Sequence, residues 1–424
     1  MNRASVHLII QGIGSEELAA HDPQPLTAAI QDKQESLGYR LVAEIEEYLS
    51  NRNVDPSFRR KWKLPSYHLV EVFPQKNVFE LMGQIYQAFS DQAFPELFVQ
   101  HVEPDIALQL TAKIPSKIGT SFSLTTTKSS HSDYKSDLKI PDASNDKITG
   151  EDVKIAVLDT GVEPTLSVKS WHDMTDPPQS TQMDKNGHGT AMAMIIADIA
   201  FKAEIHAVRV TQSGLVYVWE LIAGLETAVY DVGANIVNMS LGLEDIPSGN
   251  CGICGGQGNN RSFVLKRFFD NVSNAKTTSG APDPIFLAAV GNKGGRKGFF
   301  WPAAFTNTVA IGAVTKGKTR PSFSNTGTNK APPRYFLCPG GDTDSNDDVC
   351  EWVGEGNDGG TTTCCVGTSA STAYAAAVLA LHREYRHKNG KTTLSSDILD
   401  GAQQVAESDV TNEQSKKIRL VYGK

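Results

Sequence analysis

The sequence predicts an α/β fold in which a mostly parallel sheet carries helices on both faces, preceded by a small α+β amino-terminal domain. Three observations carry this expectation. From Val153 onward, short apolar runs alternate with helix-length stretches; the chain before about residue 105 shows its own alternation of strand and helix signals; and a polar stretch separates the two regions. At 424 residues the chain exceeds an ordinary single domain. The expected divisions are residues 1–113 for the amino-terminal domain, 114–150 for a Ser/Thr/Lys-rich linker and 151–424 for the larger domain.

In the amino-terminal region the strand signals are "VHLIIQGI", "YHLVEVF" and "LFVQHVEPD", with helices expected over Leu26–Leu49 and Val78–Phe89. The following "KIGTSFSLTTTKSSHSDYKSDLKIPDASNDKITGED" is dense in Ser, Thr, Lys and Asp and has a linker's composition. Beyond it, "VKIAVL", "EIHAVRV", "NIVNMSL", "IFLAAV" and "TVAIGAV" are apolar along both faces, as strands covered on both sides must be. Helices fit at Gly189–Ala200, Leu215–Tyr230, Ser262–Asn274 and Ser371–Arg386. Parallel strands joined by right-handed crossovers present their ligand-binding residues at the carboxyl ends of the strands.

Composition narrows the functional classes. A formal net charge of -8 and a pI near 5.7 give no clustered basic surface for nucleic acid. The densest basic run, "GNKGGRKG", lacks the ending of a phosphate loop and reads as a solvated turn. No apolar run approaches the roughly 18 residues that span a bilayer, so no membrane partner is expected. The amino terminus carries only a short apolar run before charges return, which points to a cytoplasmic location, or to secretion if the start is truncated. A reducing compartment would keep most of Cys251, Cys254, Cys338, Cys350, Cys364 and Cys365 as thiols; secretion would instead allow a disulfide such as Cys338 to Cys350. The lone CxxC of Cys251 and Cys254 and the adjacent pair Cys364 and Cys365 are too unlike to read as halves of a zinc site, and no metal ligand is assigned.

Four residues stand where chemistry could be done. In "DKNGHGTAMAMIIA", His188 sits between Gly187 and Gly189 at a helix start, and neighbours without side chains let other groups approach it closely. Asp159 ends the apolar run "IAVLDTGV", where a buried carboxylate needs partners. Ser369 follows Gly367 and Thr368 at the head of an Ala-rich helix, where unpaired N–H groups favour developing negative charge. Asn292 ends "FLAAVGN", where a fixed amide could donate to an oxyanion. Taken singly, each has a plainer explanation: a polar turn, a structural aspartate, an N-cap serine and a turn asparagine.

Together, "VKIAVLDTGV", "NGHGTAMAM", "NIVNMSLG", "FLAAVGNKG" and "GTSASTAYAAAVLAL" resemble the signature blocks of the subtilisin-like serine proteases, the subtilase family, in the family's order of Asp, His, Asn and Ser. The flanking "WPAAFTNTVAIGAV" and "SFSNTG" add to the resemblance, which runs from about Val153 to Arg386. It implies a serine endopeptidase acting on protein or peptide chains. His188 would be the general base, Asp159 its orienting partner, Ser369 the nucleophile, and Asn292 with the Ser369 N–H the oxyanion hole. Ser240, Leu241 and Gly242 would pair with extended substrate and, with Ala289, Val290 and Gly291, wall the specificity pocket.

The chain also departs from the family. Ala370, Ser371, Thr372 and Ala373 stand where the family usually has Met-Ala-Thr-Pro, and losing the proline removes preorganisation but no catalytic group. Leu243 replaces a common glycine, and the insertion "EDIPSGNCGICGGQGNN" follows, so the substrate cleft is expected to differ. "HVEPDIAL" resembles the end of a subtilase propeptide, which implies an amino-terminal domain acting as inhibitor, with the segment after it entering the cleft beside Ser240–Gly242 and a cut between Ile106 and Gly150. A permanently attached docking domain is the alternative. No cofactor is required for the chemistry. Family habit and the acidic "GGDTDSNDDVCEWVGEGNDGG" raise a structural calcium, but without EF-hand spacing the loop reads as solvated. A pseudoprotease that binds peptides in the same cleft is the competing function, distinguished by whether Ser369 reacts with a fluorophosphonate.

Overall fold

The computed structural model describes residues 6–11, 45, 47, 56–61, 67–72, 78–89, 101–104, 107–110, 112–113, 135–140, 148–175, 178–242, 262–275, 283–294, 298–315, 317–326, 334–341, 353–355, 362–364, 366–410 and 419–423. They fall into two compact units, residues 1–106 with 246–267 and residues 107–245 with 268–424.

The first unit holds β1 (Val6–Gln11), β2 (Pro56–Lys61), β3 (Tyr67–Val72), α1 (Val78–Phe89) and β4 (His101–Pro104). Its four strands lie antiparallel in the order β2-β3-β1-β4. Leu81, Met82 and Ile85 of α1 are buried while Gln84 and Gln87 are exposed, which is the one-sided pattern of a helix lying on a sheet. β2 was not expected from its sequence, "PSFRRK". It is an edge strand beginning with proline and interrupted by an irregularity between Phe58 and Arg60, so tertiary pairing rather than apolar alternation defines it. The helix expected over Leu26–Leu49 lies outside the described residues except at positions 45 and 47, which are helical.

The second unit opens with two short strands, β5 (Ala107–Leu110) and β6 (Ala112–Lys113). There follow β7 (Lys154–Asp159), β8 (Ser170–Asp173), α2 (His188–Ile199), β9 (Glu204–Arg209), β10 (Leu215–Tyr217), α3 (Val218–Glu226), β11 (Ile236–Met239) and β12 (Leu241–Gly242). The remainder is the part of α4 (Phe263–Ala275) from residue 268 on, β13 (Ile285–Ala289), β14 (Val309–Val314), β15 (Tyr335–Pro339), β16 (Val353–Glu355), β17 (Thr362–Cys364), β18 (Val366–Gly367), α5 (Thr368–Lys388) and α6 (Ser395–Val405). Seven strands form one all-parallel sheet in the order β15-β14-β13-β11-β7-β9-β8. From β7 the sheet grows first through β9 and then, on the other side, through β11, so the order reverses at β7 and its carboxyl end opens a crevice.

All five apolar runs read from the sequence lie in this sheet. The core is completed by α5, whose Ala370, Ala373, Ala375, Ala376, Ala377 and Ala380 are fully buried. Side chains this small let a helix enclosed on all sides approach both the sheet and α2, with which it packs.

Three expectations change. The stretch Leu215–Tyr230 is not one helix: it begins as strand β10, turns into α3 at Val218 and ends in a π-helical turn over Thr227–Asp231. Gly214 at φ 90° breaks the chain ahead of it, and the Glu220 side chain accepts from the Tyr217 N–H at the start of α3. The last long helix begins at Thr368 rather than Ser371, because Gly367 at φ 146° ends the preceding strand immediately before it. Two pieces of the expected linker are packed: Leu138 is fully buried, and Glu384 accepts hydrogen bonds from the N–H groups of Thr149, Gly150 and Glu151 at 2.6, 2.5 and 3.1 Å. The insertion at 244–260 and Cys251, Cys254, Cys350 and Cys365 lie outside the described residues, as does the acidic loop 340–360 apart from 340, 341 and 353–355. Among the described residues no helix is long and apolar enough to cross a membrane.

Candidate active site

Asp159 is the last residue of β7, so the strand delivers its carboxylate to the crevice at the point where the strand order reverses. Its Oδ1 accepts from the Thr160 N–H at 2.8 Å and lies 2.7 Å from His188 Nδ1. His188 heads α2. Gly187 before it takes the left-handed φ of 87°, which a residue with a side chain rarely adopts. Gly189 after it packs so closely that a Cβ there would lie 2.2 Å from the Gly161 carbonyl oxygen and 3.0 Å from Asp159 Cβ. The glycines on either side of the histidine thus serve the turn and the approach of Asp159.

Both members of the pair are buried, Asp159 at 0% and His188 at 1% exposure. The contact to Asp159 makes Nδ1 the protonated nitrogen and leaves Nε2 with its lone pair. Nε2 is buried and has no hydrogen-bond partner among the described residues, and the same is true of Asp159 Oδ2.

A residue that sequence reasoning passed over holds this turn in place. Asp184, 1% exposed, accepts from the N–H groups of Asn186 and Gly187 through Oδ1, at 3.1 and 2.8 Å. Through Oδ2 it accepts from the Thr190 N–H and hydroxyl, at 2.9 and 2.6 Å. Burial pushes its carboxyl above the ordinary carboxylate range, against the lowering effect of these bonds. The available signal was an aspartate three residues before the glycine that starts a helix, a position where carboxylates capture unpaired N–H groups.

Ser369 is the second residue of α5 and fully buried. Its hydroxyl donates to the Ser240 carbonyl at 3.0 Å, and the Ser240 hydroxyl donates back to the Ser369 carbonyl at 3.0 Å. Asn238 Nδ2 donates to that same Ser240 hydroxyl at 3.0 Å. Asn292 Oδ1 accepts from the Thr368 N–H at 3.0 Å and the Thr368 hydroxyl at 2.9 Å, which orients the amide and leaves Nδ2 as its donating end. The structure therefore joins Asp159 to His188, Ser369 to Ser240, and Asn292 to Thr368, and it packs the helices that carry His188 and Ser369 against each other. It does not place the Ser369 hydroxyl on His188 Nε2.

Of the expected cleft walls, Ala289 ends β13, and Val290 and Gly291 continue into a turn in which Asn325 donates from Nδ2 to the Val290 carbonyl and from its N–H to the Gly291 carbonyl. Leu241 and Gly242 form β12, which pairs antiparallel with β5; β5 pairs on its other side with β10. β5 thus runs between β10 and β12, and β6 pairs with β18, which leads through Thr368 to Ser369.

Residues 150–423 match the family model described as the Subtilase family, Peptidase_S8. Subtilisin Savinase of Lederbergia lenta is 33% identical over 202 residues, covering 45% of this chain and 66% of its own length. The Alkaline protease of Alkalihalobacillus alcalophilus is also 33% identical over 202 residues, covering 45% of this chain and 47% of its own. The chain thus spans between 47% and 66% of the length of these curated relatives. Among solved structures, that of Prenylagaramide maturation protease PagA aligns with a TM-score of 0.49 at 22% identity, covering 65% of this chain and 93% of that one.

Proposed function

The chain belongs to the subtilase family, and from that membership we propose that it is a serine endopeptidase hydrolysing protein or peptide chains. One observation carries the reading: the buried Asp159–His188 pair ends in an imidazole nitrogen with no hydrogen-bond partner among the described residues, at the head of a helix packed on the helix that carries Ser369. A buried polar atom left unbonded costs free energy, and a proton acceptor reserved for a reacting group is a reason to bear that cost.

In the proposed reaction the Ser369 hydroxyl leaves the Ser240 carbonyl for His188 Nε2, gives up its proton there and attacks the substrate carbonyl. Asp159 holds the ring through Nδ1 and stabilises the imidazolium that forms. The tetrahedral oxyanion is met by Asn292 Nδ2 and the Ser369 N–H at the start of α5, donors fixed before charge develops. His188 then returns the proton to the leaving amine. Ser240–Gly242 and Ala289–Gly291 bind the substrate as walls of the cleft, and no cofactor enters the chemistry. The pairing of β5 with β10 and β12 supports restraint by the chain's own amino-terminal region, since a strand in that place excludes substrate.

The Ser369 hydroxyl on the Ser240 carbonyl is the one observation that favours a peptide-binding pseudoprotease instead. A fluorophosphonate probe separates the two readings. Wild type should be labelled at Ser369 and should hydrolyse casein. His188→Ala and Ser369→Ala should each lose at least about 10³-fold in hydrolysis, since triad members act as a unit. No label on wild type, or either variant remaining within roughly tenfold of it, overturns the endopeptidase.

A further inference from the structure

We propose that Asn238 is a positioning residue of this site: through the Ser240 hydroxyl it fixes the Ser369 carbonyl, and with it the residue that supplies both the nucleophile and an oxyanion donor. The inference rests on the endopeptidase reading above and deepens it by adding a residue that acts without touching substrate.

Asn238 stands where an amide gains little from packing. It lies in β11, in register with Val157 of β7 on one side and Leu287 of β13 on the other. All three residues are buried, Asn238 at 0% exposure, and α5 packs on the strand. Between such neighbours an aliphatic side chain suits a strand, whereas a buried amide must be hydrogen-bonded to offset its desolvation. Asn238 is bonded at one end only. Its Nδ2 donates to the Ser240 hydroxyl at 3.0 Å, and its Oδ1 has no hydrogen-bond partner among the described residues. A half-satisfied amide contributes less to stability than an aliphatic side chain of the same shape, so its presence calls for another reason.

That reason is the direction it gives to a hydroxyl. A serine hydroxyl has one proton to give and accepts through its lone pairs. With the Asn238 N–H on its oxygen, Ser240 gives its own proton to the Ser369 carbonyl, at 3.0 Å. The three residues form a chain of hydrogen bonds with a single sense, in which each bond polarises the next. It begins in β11, the central strand of the seven-stranded sheet, and ends on the first turn of α5.

The residue before Ser369 is tied separately. Thr368 gives both its N–H and its hydroxyl to Asn292 Oδ1. The peptide bond between Thr368 and Ser369 carries the N–H that meets the oxyanion in the proposed reaction. Asn292 holds the residue on one side of that bond, and Asn238, acting through Ser240, holds the residue on the other. Without Asn238 the Ser240 hydroxyl is free to turn off the Ser369 carbonyl, and the start of α5 loses this tie to the sheet. The backbone of β12 is untouched, so the loss falls on the transition state rather than on substrate binding.

The test compares wild type with Asn238→Leu, Ser240→Ala and the double variant by steady-state casein hydrolysis, and by melting temperature in chains that also carry Ser369→Ala. Leucine has nearly the shape of asparagine and matches Val157 and Leu287, so Asn238→Leu should lower the melting temperature by no more than about 5 °C. It should lower kcat at least about tenfold, with KM within about twofold. Because Asn238 acts through Ser240, the double variant should match Ser240→Ala in kcat within about twofold. An asparagine kept for stability alone gives the reverse, a lower melting temperature with kcat retained. Asn238→Leu that loses less than about tenfold in kcat, that changes KM instead, that melts more than about 5 °C lower or fails to fold, or whose loss multiplies with that of Ser240→Ala, overturns this proposal and leaves the endopeptidase standing. A wild type that neither hydrolyses casein nor takes a fluorophosphonate on Ser369 overturns both.

Discussion

Replacing Asp184 separates two contributions that the folded chain keeps together, four hydrogen bonds and one buried charge. The carboxylate collects the N–H groups of Asn186, Gly187 and Thr190 and the Thr190 hydroxyl, all between 2.6 and 3.1 Å, at a position 1% exposed. Asp184→Ala strands these donors. Each buried group left unsatisfied costs about 1–3 kcal/mol, but the hydroxyl can rotate and the turn can relax, so the expected loss is about 3–5 kcal/mol. At about 2–4 °C per kcal/mol for a unit of this size, the melting temperature falls by about 6–20 °C. Asp184→Asn keeps one acceptor oxygen and removes the charge, so about 1–2 kcal/mol is expected.

The two variants also differ in pH dependence. Burial raises the folded-state pKa of Asp184 above its ordinary 3.8, so between the two values the folded state binds the proton more readily than the unfolded chain. Wild type therefore gains stability from this group as pH falls through the folded value and loses it as pH rises, whereas the asparagine does not titrate. The stability difference between wild type and Asp184→Asn should be largest at the acid end and shrink toward neutrality. Urea unfolding at a series of pH values measures it, with all chains carrying Ser369→Ala to prevent self-digestion. An alanine variant costing less than about 1 kcal/mol, or a difference that grows with pH, would refute the reasoning.

Two further outcomes follow from the same geometry. Asn292→Ala should lower kcat by about 10²–10³-fold with KM nearly unchanged, a range taken from the asparagine with this role in subtilisin itself rather than from the distances here; steady-state kinetics showing a change confined to KM would make Asn292 a substrate-binding residue only. Gly189→Ala drives a Cβ to 2.2 Å from the Gly161 carbonyl oxygen, so it should destabilise by about 1–3 kcal/mol and, by displacing His188, cost about 10²-fold in peptide hydrolysis. Unchanged melting and activity in that variant would show that the turn yields freely.

Much of the larger unit was legible because its strands are covered on both faces. Burial on both sides demands continuous apolar residues, and "VKIAVL", "EIHAVRV", "NIVNMSL", "IFLAAV" and "TVAIGAV" satisfy that demand without reference to any partner. β2 and β10 were not legible for the converse reason. "PSFRRK" and "LVY" become strands only because β3 and β5 lie beside them. Among the candidate residues, Asp159 and His188 announced themselves by position, one at a strand end and the other between glycines. Asp184 did not, since its importance depends on how deeply the turn is buried.

The sequence by itself determined the apolar runs, the glycines that permit close approach and the order of Asp159, His188, Asn292 and Ser369 along the chain, because each is a property of residue type and spacing. Only the tertiary structure decided that the Asp159–His188 pair would be buried, that the Ser369 hydroxyl would rest on the Ser240 carbonyl, and that residues 107–110 would run in register with β10 and β12 and residues 112–113 with β18. These depend on which distant segments exclude water from one another and on a pairing register that no local pattern encodes, since a backbone ladder is nearly indifferent to the side chains it carries.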